Sequence, residues 1–219
     1  MIAYKYRVKS STVIFYDEFN EPLTPDIIED IRRFKRVIFG ENFNQSVDNL
    51  PQGVIFIQFG ALFNQPVDFL PNTVETIIFG NYFNQSVDFL PCSLLTLEFH
   101  GRFNHPVDNL PNSIKNIYFG HKFNQSVNNL PRQLEYVFFG SEFIQSIDNL
   151  PDSVKNIRFF SLYRNKINKL PTSLRKLKFM WKKLINFYKK NWFKKIMVFY
   201  NKKWNLLRLF LFYLYLPYW

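Results

Sequence analysis

The sequence predicts a repeat solenoid, in which stacked 20-residue coils each contribute one short parallel β-strand and return through irregular segments. Three observations predict it. Leu-Pro pairs recur from Leu50-Pro51 to Leu170-Pro171 at intervals of 20 residues. Each is followed by the spacing apolar-x-x-apolar-x-Phe, as in Val54, Ile57, Phe59 and Val74, Ile77, Phe79, and this ends in the two-residue alternation of a strand. A second apolar set, Phe43, Phe63, Phe83, Phe103, Phe123 and Phe143 with Val47 to Ile147, recurs at the same interval on the return side. A lone coil cannot bury two such faces, and a stack of identical coils can.

Residues 1–36 read as an N-terminal cap that contains a degenerate repeat. Val13-Ile14-Phe15 and Phe19-Asn20 match Val37-Ile38-Phe39 and Phe43-Asn44 at an offset of 24, so four extra residues have entered this coil. They fall near Thr24-Pro25-Asp26, where a capping threonine, a proline at the first helical position and an early acid predict a short helix. Tandem repeats occupy 37–180. The proline of each Leu-Pro corner fixes φ and donates no hydrogen bond, which suits a turn. Glycine ends the strand at 40, 60, 80, 120 and 140, and comes one residue late at Gly101. Asn44, Asn64, Asn84, Asn104 and Asn124 form a column expected to satisfy backbone groups at the bend, and Asp48, Asp68, Asp88, Asp108 and Asp148 are expected to accept from amides of the next turn.

The repeat decays at Ile144, Arg164, Asn165 and Lys166, and residues 181–219 form a basic aromatic C-terminal tail. Trp181, Leu184, Ile185, Tyr188, Trp192, Ile196 and Phe199 follow helical spacing, so the tail is predicted to be helical. Its apolar run around Leu206–Leu216 is short for a transmembrane helix, which needs about 20 apolar residues. Three uses fit the composition: a cap over the last coil, attachment to an anionic membrane surface, or contact with nucleic acid.

Charge separates the two regions. Up to Asp152 there are 11 basic and 17 acidic residues; beyond it there are 17 basic and no acidic ones. The overall +11 is therefore a property of the C-terminal third and does not make the repeats a nucleic-acid-binding surface. One cysteine, Cys92, excludes an internal disulfide framework, and the start of the chain has no apolar leader, so an intracellular, cytoplasmic protein is expected.

The unit Phe-Asn-Gln-Ser/Pro-Val-Asp-x-Leu-Pro-x-Ser-Val/Leu-x-x-Ile-x-Phe-Gly, repeated in tandem between residues 13 and 179, resembles the FNIP repeat. The resemblance implies a leucine-rich-repeat-like fold and a setting in amoebae or the giant viruses that infect them. Many FNIP-repeat proteins carry an F-box before the repeats, which implies substrate recognition for a ubiquitin ligase; residues 1–36 show no such helical module.

No phosphate loop, nucleophile elbow or zinc spacing is present, and His100, His105 and His121 occupy different repeat columns. A non-enzymatic protein that uses no cofactor, metal or small-molecule substrate is expected. Its protein partner should bind where the repeat stops repeating, at the strand positions that alternate with the core. These form one column of Phe56, Thr76, Thr96, Asn116, Tyr136 and Asn156, continuing to Lys176, and another of Gln58, Ile78, Glu98, Tyr118, Phe138 and Arg158, continuing to Lys178. Phe56, Tyr118, Tyr136 and Phe138 are expected to be exposed anchors.

Overall fold

Beyond each Leu-Pro corner the chain turns once and then extends. The amide three residues on donates to the proline carbonyl, from Val54 to Pro51 at 3.4 Å and from Leu94 to Pro91 at 3.1 Å. The computed structural model describes residues 5–161 and 163–180. Its strands are β1 (Tyr6–Lys9), β2 (Thr12–Phe15), β3 (Arg36–Ile38), β4 (Phe56–Gln58), β5 (Thr76–Phe79), β6 (Thr96–Phe99), β7 (Asn116–Tyr118), β8 (Tyr136–Phe139), β9 (Asn156–Phe159) and β10 (Lys176–Phe179). They form one sheet in chain order, parallel from β2 onward.

The register equals the repeat. Ile57 pairs with Ile77, Ile77 with Leu97, Leu97 with Ile117, and the line continues to Leu177. Val13 pairs with Val37, so the offset of 24 read from the sequence is the offset of the first strand pair. A one-residue slip would turn the core side chains to solvent, which is why the period is kept so strictly.

The four extra residues are taken up in the seven-residue helix α1 (Pro25–Ile31), with Ile27 and Ile31 buried. Thr24 occupies the cap position with an extended backbone, but its hydroxyl makes no capping bond. The sequence reading missed β1. This strand runs antiparallel to β2 around Ser10, whose φ is 55°, and so closes the sheet edge. Its traces were the Tyr6-Arg7-Val8-Lys9 alternation and the following Ser10-Ser11 pair. The predicted C-terminal helix at 181–219 lies outside the described residues.

Two files of rings run through the core. On the strand side Phe39, Phe59, Phe79, Phe99, Phe119, Phe139, Phe159 and Phe179 stack with centroids 5.3–6.1 Å apart. On the return side Phe43, Phe63, Phe83, Phe103, Phe123, Phe143 and Tyr163 stack at 6.0–6.2 Å. Within a coil the files touch: Phe79 and Phe83 lie 3.7 Å apart, with 9° between their planes. The spacings between coils fall in the range where offset stacking is favourable, at about 0.5–1.5 kcal/mol per pair beyond burial.

Coils this close leave no room where the strand ends. A Cβ at Gly60 would run into the Gly40 carbonyl, and one at Gly80 into that of Gly60. The late Gly101 faces the Asn81 carbonyl in the same way. At the next bend the asparagine ladder is as expected. Each side-chain Oδ1 accepts from the backbone amide of the following coil: Asn44 from Asn64 at 2.8 Å, Asn64 from Asn84 at 2.8 Å, Asn84 from Asn104 at 2.9 Å and Asn104 from Asn124 at 2.8 Å. The glutamines after them add a second rung, with Gln65 Nε2 donating to the Asn44 carbonyl at 3.1 Å and Gln125 Nε2 to that of Asn104 at 3.0 Å. A Ser/Thr column ties the corners, since Thr73, Ser113 and Ser153 donate to the carbonyls of Val54, Leu94 and Leu134 at 2.7–2.8 Å.

Two stability predictions follow from these contacts. Gly80→Ala meets backbone that cannot move aside, and should lower unfolding free energy by more than about 2 kcal/mol in a denaturant titration. Asn64→Ala removes the acceptor of the Asn84 amide and should cost about 1–3 kcal/mol in the same measurement, with no change in the strand content seen by circular dichroism.

Candidate functional site

Strand alternation decides which side chains can meet a partner. The central residue of each strand from β4 to β9 is buried, and its two neighbours face outward. The parallel register then joins these neighbours into two unbroken columns. Phe56 pairs with Thr76, followed by Thr96, Asn116, Tyr136 and Asn156; Gln58 pairs with Ile78, followed by Glu98, Tyr118, Phe138 and Arg158. All twelve lie on one face, and all are half-buried.

The aromatic side chains are less open than expected. At a strand separation of about 4.8 Å a large side chain leans on its neighbours, so Phe56, Tyr118, Tyr136 and Phe138 are half-buried and not free-standing. The Arg36 guanidinium lies over the Phe56 ring at 3.7 Å. Tyr118 and Tyr136 rings are 4.9 Å apart, tilted by 38°, and Arg158 lies 5.7 Å from the Tyr136 ring. Burial pushes the Tyr136 hydroxyl above its ordinary pKa. The result is a firm, continuous surface with an amphipathic Tyr-Tyr-Arg cluster towards its C-terminal end.

Charge changes along this face. Glu98 lies on β6 and Glu75 just before β5, Lys115 and Glu135 precede β7 and β8, and Arg158 and Lys176 lie on β9 and β10, where Lys155 pairs with Glu135 at 2.7 Å. Asn116 Nδ2 donates to Thr96 Oγ1 at 3.2 Å, and Glu98 Oε1 meets His100 Nε2 at 2.9 Å. That bond to Glu98 raises the His100 pKa against the opposing effect of burial, and the nearby Glu98 charge adds to the rise.

The histidines do not form a centre. His100 pairs with Glu98, His121 with Ser141 and Glu142, and His105 lies beside Phe103. Among the described residues there is no group of three or more His, Cys, Asp or Glu side chains placed to hold a metal ion.

The aspartate column behaves differently from its expectation. Only Asp148 accepts backbone amides of the next coil, from Asn168 at 2.8 Å and Lys169 at 3.1 Å. Asp88 and Asp108 accept instead from side chains, Asn109 Nδ2 at 3.1 Å and Asn129 Nδ2 at 2.9 Å. The reach from one coil to the next at this corner suits a carboxamide better than a main-chain amide.

Sequence reasoning also passed over the most exposed aromatic residues among those described, Phe69 at 72% and Phe89 at 71%. Both belong to the return segment, just before the Leu-Pro corner. Their trace was in the column itself, where Asn49, Asn109, Asn129 and Asn149 stand in four other coils.

The FNIP Repeat family model matches residues 43–82, 63–102 and 103–142. Among solved structures, the chain is similar to CroV588 of the giant virus CroV, described as a novel circular LRR protein, with a TM-score of 0.52 and 24% identity. The similarity covers 80% of this chain and 41% of that one, so the chain spans less than half the length of that relative. No curated protein matches the sequence. Residues 43–142 are thus a run of FNIP repeats, stacked with one strand per coil in a leucine-rich-repeat-like solenoid.

Proposed function

We propose that the outward strand face binds a protein partner, with Phe56, Tyr118, Tyr136 and Phe138 as its apolar anchors and no catalytic step. The observation that carries this reading is the contrast between columns. Inward positions keep one residue class from coil to coil, while the twelve outward ones mix aromatic, aliphatic, polar and charged residues in continuous register. Solenoids of leucine-rich-repeat type are commonly protein-interaction scaffolds, and this face has the ingredients of a binding centre. It carries half-buried Tyr and Phe beside Arg158, already held in place by their neighbours, so little side-chain entropy is lost on contact.

A second use of the chain rests on the basic aromatic tail at 181–219, whose nine basic residues suit an anionic membrane surface or a nucleic acid. No helix of the described residues is long and apolar enough to cross a membrane. Deleting 181–219 tests this use: unchanged retention on heparin and unchanged partitioning to membranes would remove it. Recruitment of a target to a ubiquitin ligase has only the FNIP resemblance behind it.

Replacing Phe56, Tyr118, Tyr136 and Phe138 together by serine should abolish capture of co-purifying proteins, since each anchor of this kind is worth about 2 kcal/mol or more. Retention of every captured protein would exclude this face. The Glu98 to His100 contact gives a pH readout beside it. The imidazole should titrate above 6.5 by NMR, and Glu98→Gln should return it towards that value. Because the folded-state pKa is raised, the contact contributes stability fully below pH 6.5 and loses it as pH rises through the raised value.

A further inference from the structure

Phe69 and Phe89 are the outlying feature of the return face. The repeated Phe59, Phe63, Phe79 and Phe83 of these coils are committed to the core, yet two successive coils present phenyls that are 72% and 71% exposed. The substitution that put them there has a second effect. In the asparagine coils this column hooks the preceding coil, with Asn109 donating to Asp88, Asn129 to Asp108 and Asn149 to the Asn128 carbonyl oxygen of the side chain. A phenyl cannot donate. The two carboxylates that Phe69 and Phe89 would have engaged, Asp48 and Asp68, accept no hydrogen bond and join no ion pair among the described residues. Two exposed rings therefore alternate with two unpaired anions on adjacent coils.

The charge around them has one sign. Return segments 44–50, 64–70, 84–90 and 104–110 contain Asp48, Asp68, Asp88 and Asp108 and not one lysine or arginine. Such a surface repels phosphate backbones and anionic lipid. It complements a chain that offers ammonium or guanidinium groups to the carboxylates and apolar groups to the rings, and those cations also gain from approach to a phenyl face.

We propose that the Phe69/Phe89 patch is a second docking site, distinct from the strand face, for a lysine- or arginine-rich amphipathic segment of a partner protein. The site is built by exchanging a structural asparagine for phenylalanine in two neighbouring coils. The exchange removes ties within the solenoid and makes both an apolar and an ionic contact available outward.

The test uses the full chain and a fluorescein-labelled 18-residue lysine/leucine peptide containing one tryptophan, followed by fluorescence anisotropy. Phe69→Asn with Phe89→Asn restores the residue that four other coils carry, so the double variant should unfold at or above the parent's midpoint temperature. It should bind the peptide at least tenfold more weakly, while Tyr118→Ser with Tyr136→Ser binds it as the parent does. Raising salt from low to high should weaken the parent complex several-fold. Absence of binding to the parent, equal binding by the Asn double variant, or equally tight binding of a glutamate/leucine peptide would overturn the proposal. So would a loss, in the Asn double variant, of self-association in sedimentation or of binding to phosphatidylserine vesicles, because the patch would then serve another occupant.

Discussion

The double file of phenylalanine rings is the constraint on which the remainder of the molecule depends. A leucine core of the same volume fills space without fixing orientation, whereas planar rings held at 3.7 Å within a coil and 5.3–6.2 Å between coils admit one rotation and one rise. Once that rise is set, the other columns have little freedom. The bend after the strand must pass under a carbonyl, so Gly60 and Gly80 can carry no side chain. The next bend leaves an amide facing the coil below, and Asn44 or Asn64 reaches it. Among the described residues no buried side-chain polar atom lacks a partner, so the polar columns leave no unmet desolvation penalty beside a wholly apolar core.

The fold was legible because each coil states the same pattern again. One occurrence of Val54, Ile57, Phe59 would be weak; its recurrence at a fixed interval specifies both the strand and its register. The asparagine ladder was readable for the same reason. What escaped the sequence were features that occur once. β1 runs against the grain of the sheet and has no counterpart to align with. Thr24 has the right position for a cap, yet the preference for threonine there does not determine where its hydroxyl points. The aspartate column was misread because the donor that reaches it, Asn109 or Asn129, sits in a neighbouring column 21 residues on, a pairing that only the curvature of the corner establishes.

The same contrast governs the candidate sites. Alternation placed the twelve strand-face residues correctly on one side, but exposure depends on what stands beside them, and Arg36 and Arg158 lie against the rings that looked open. Phe69 and Phe89 were hidden by the opposite error. In a chain with 27 phenylalanines, each new one is readily assigned to the core. The distinction lies in column membership and not in residue type.

The asparagine ladder also has a direction, since every acceptor belongs to one coil and every donor to the next. Contacts made this way are indifferent to how many coils precede or follow. Duplication or excision of one twenty-codon unit in the gene would therefore leave each ring, glycine and carboxamide facing its usual neighbour. Each new coil arrives with its inward residues already correct and its outward ones free to diverge.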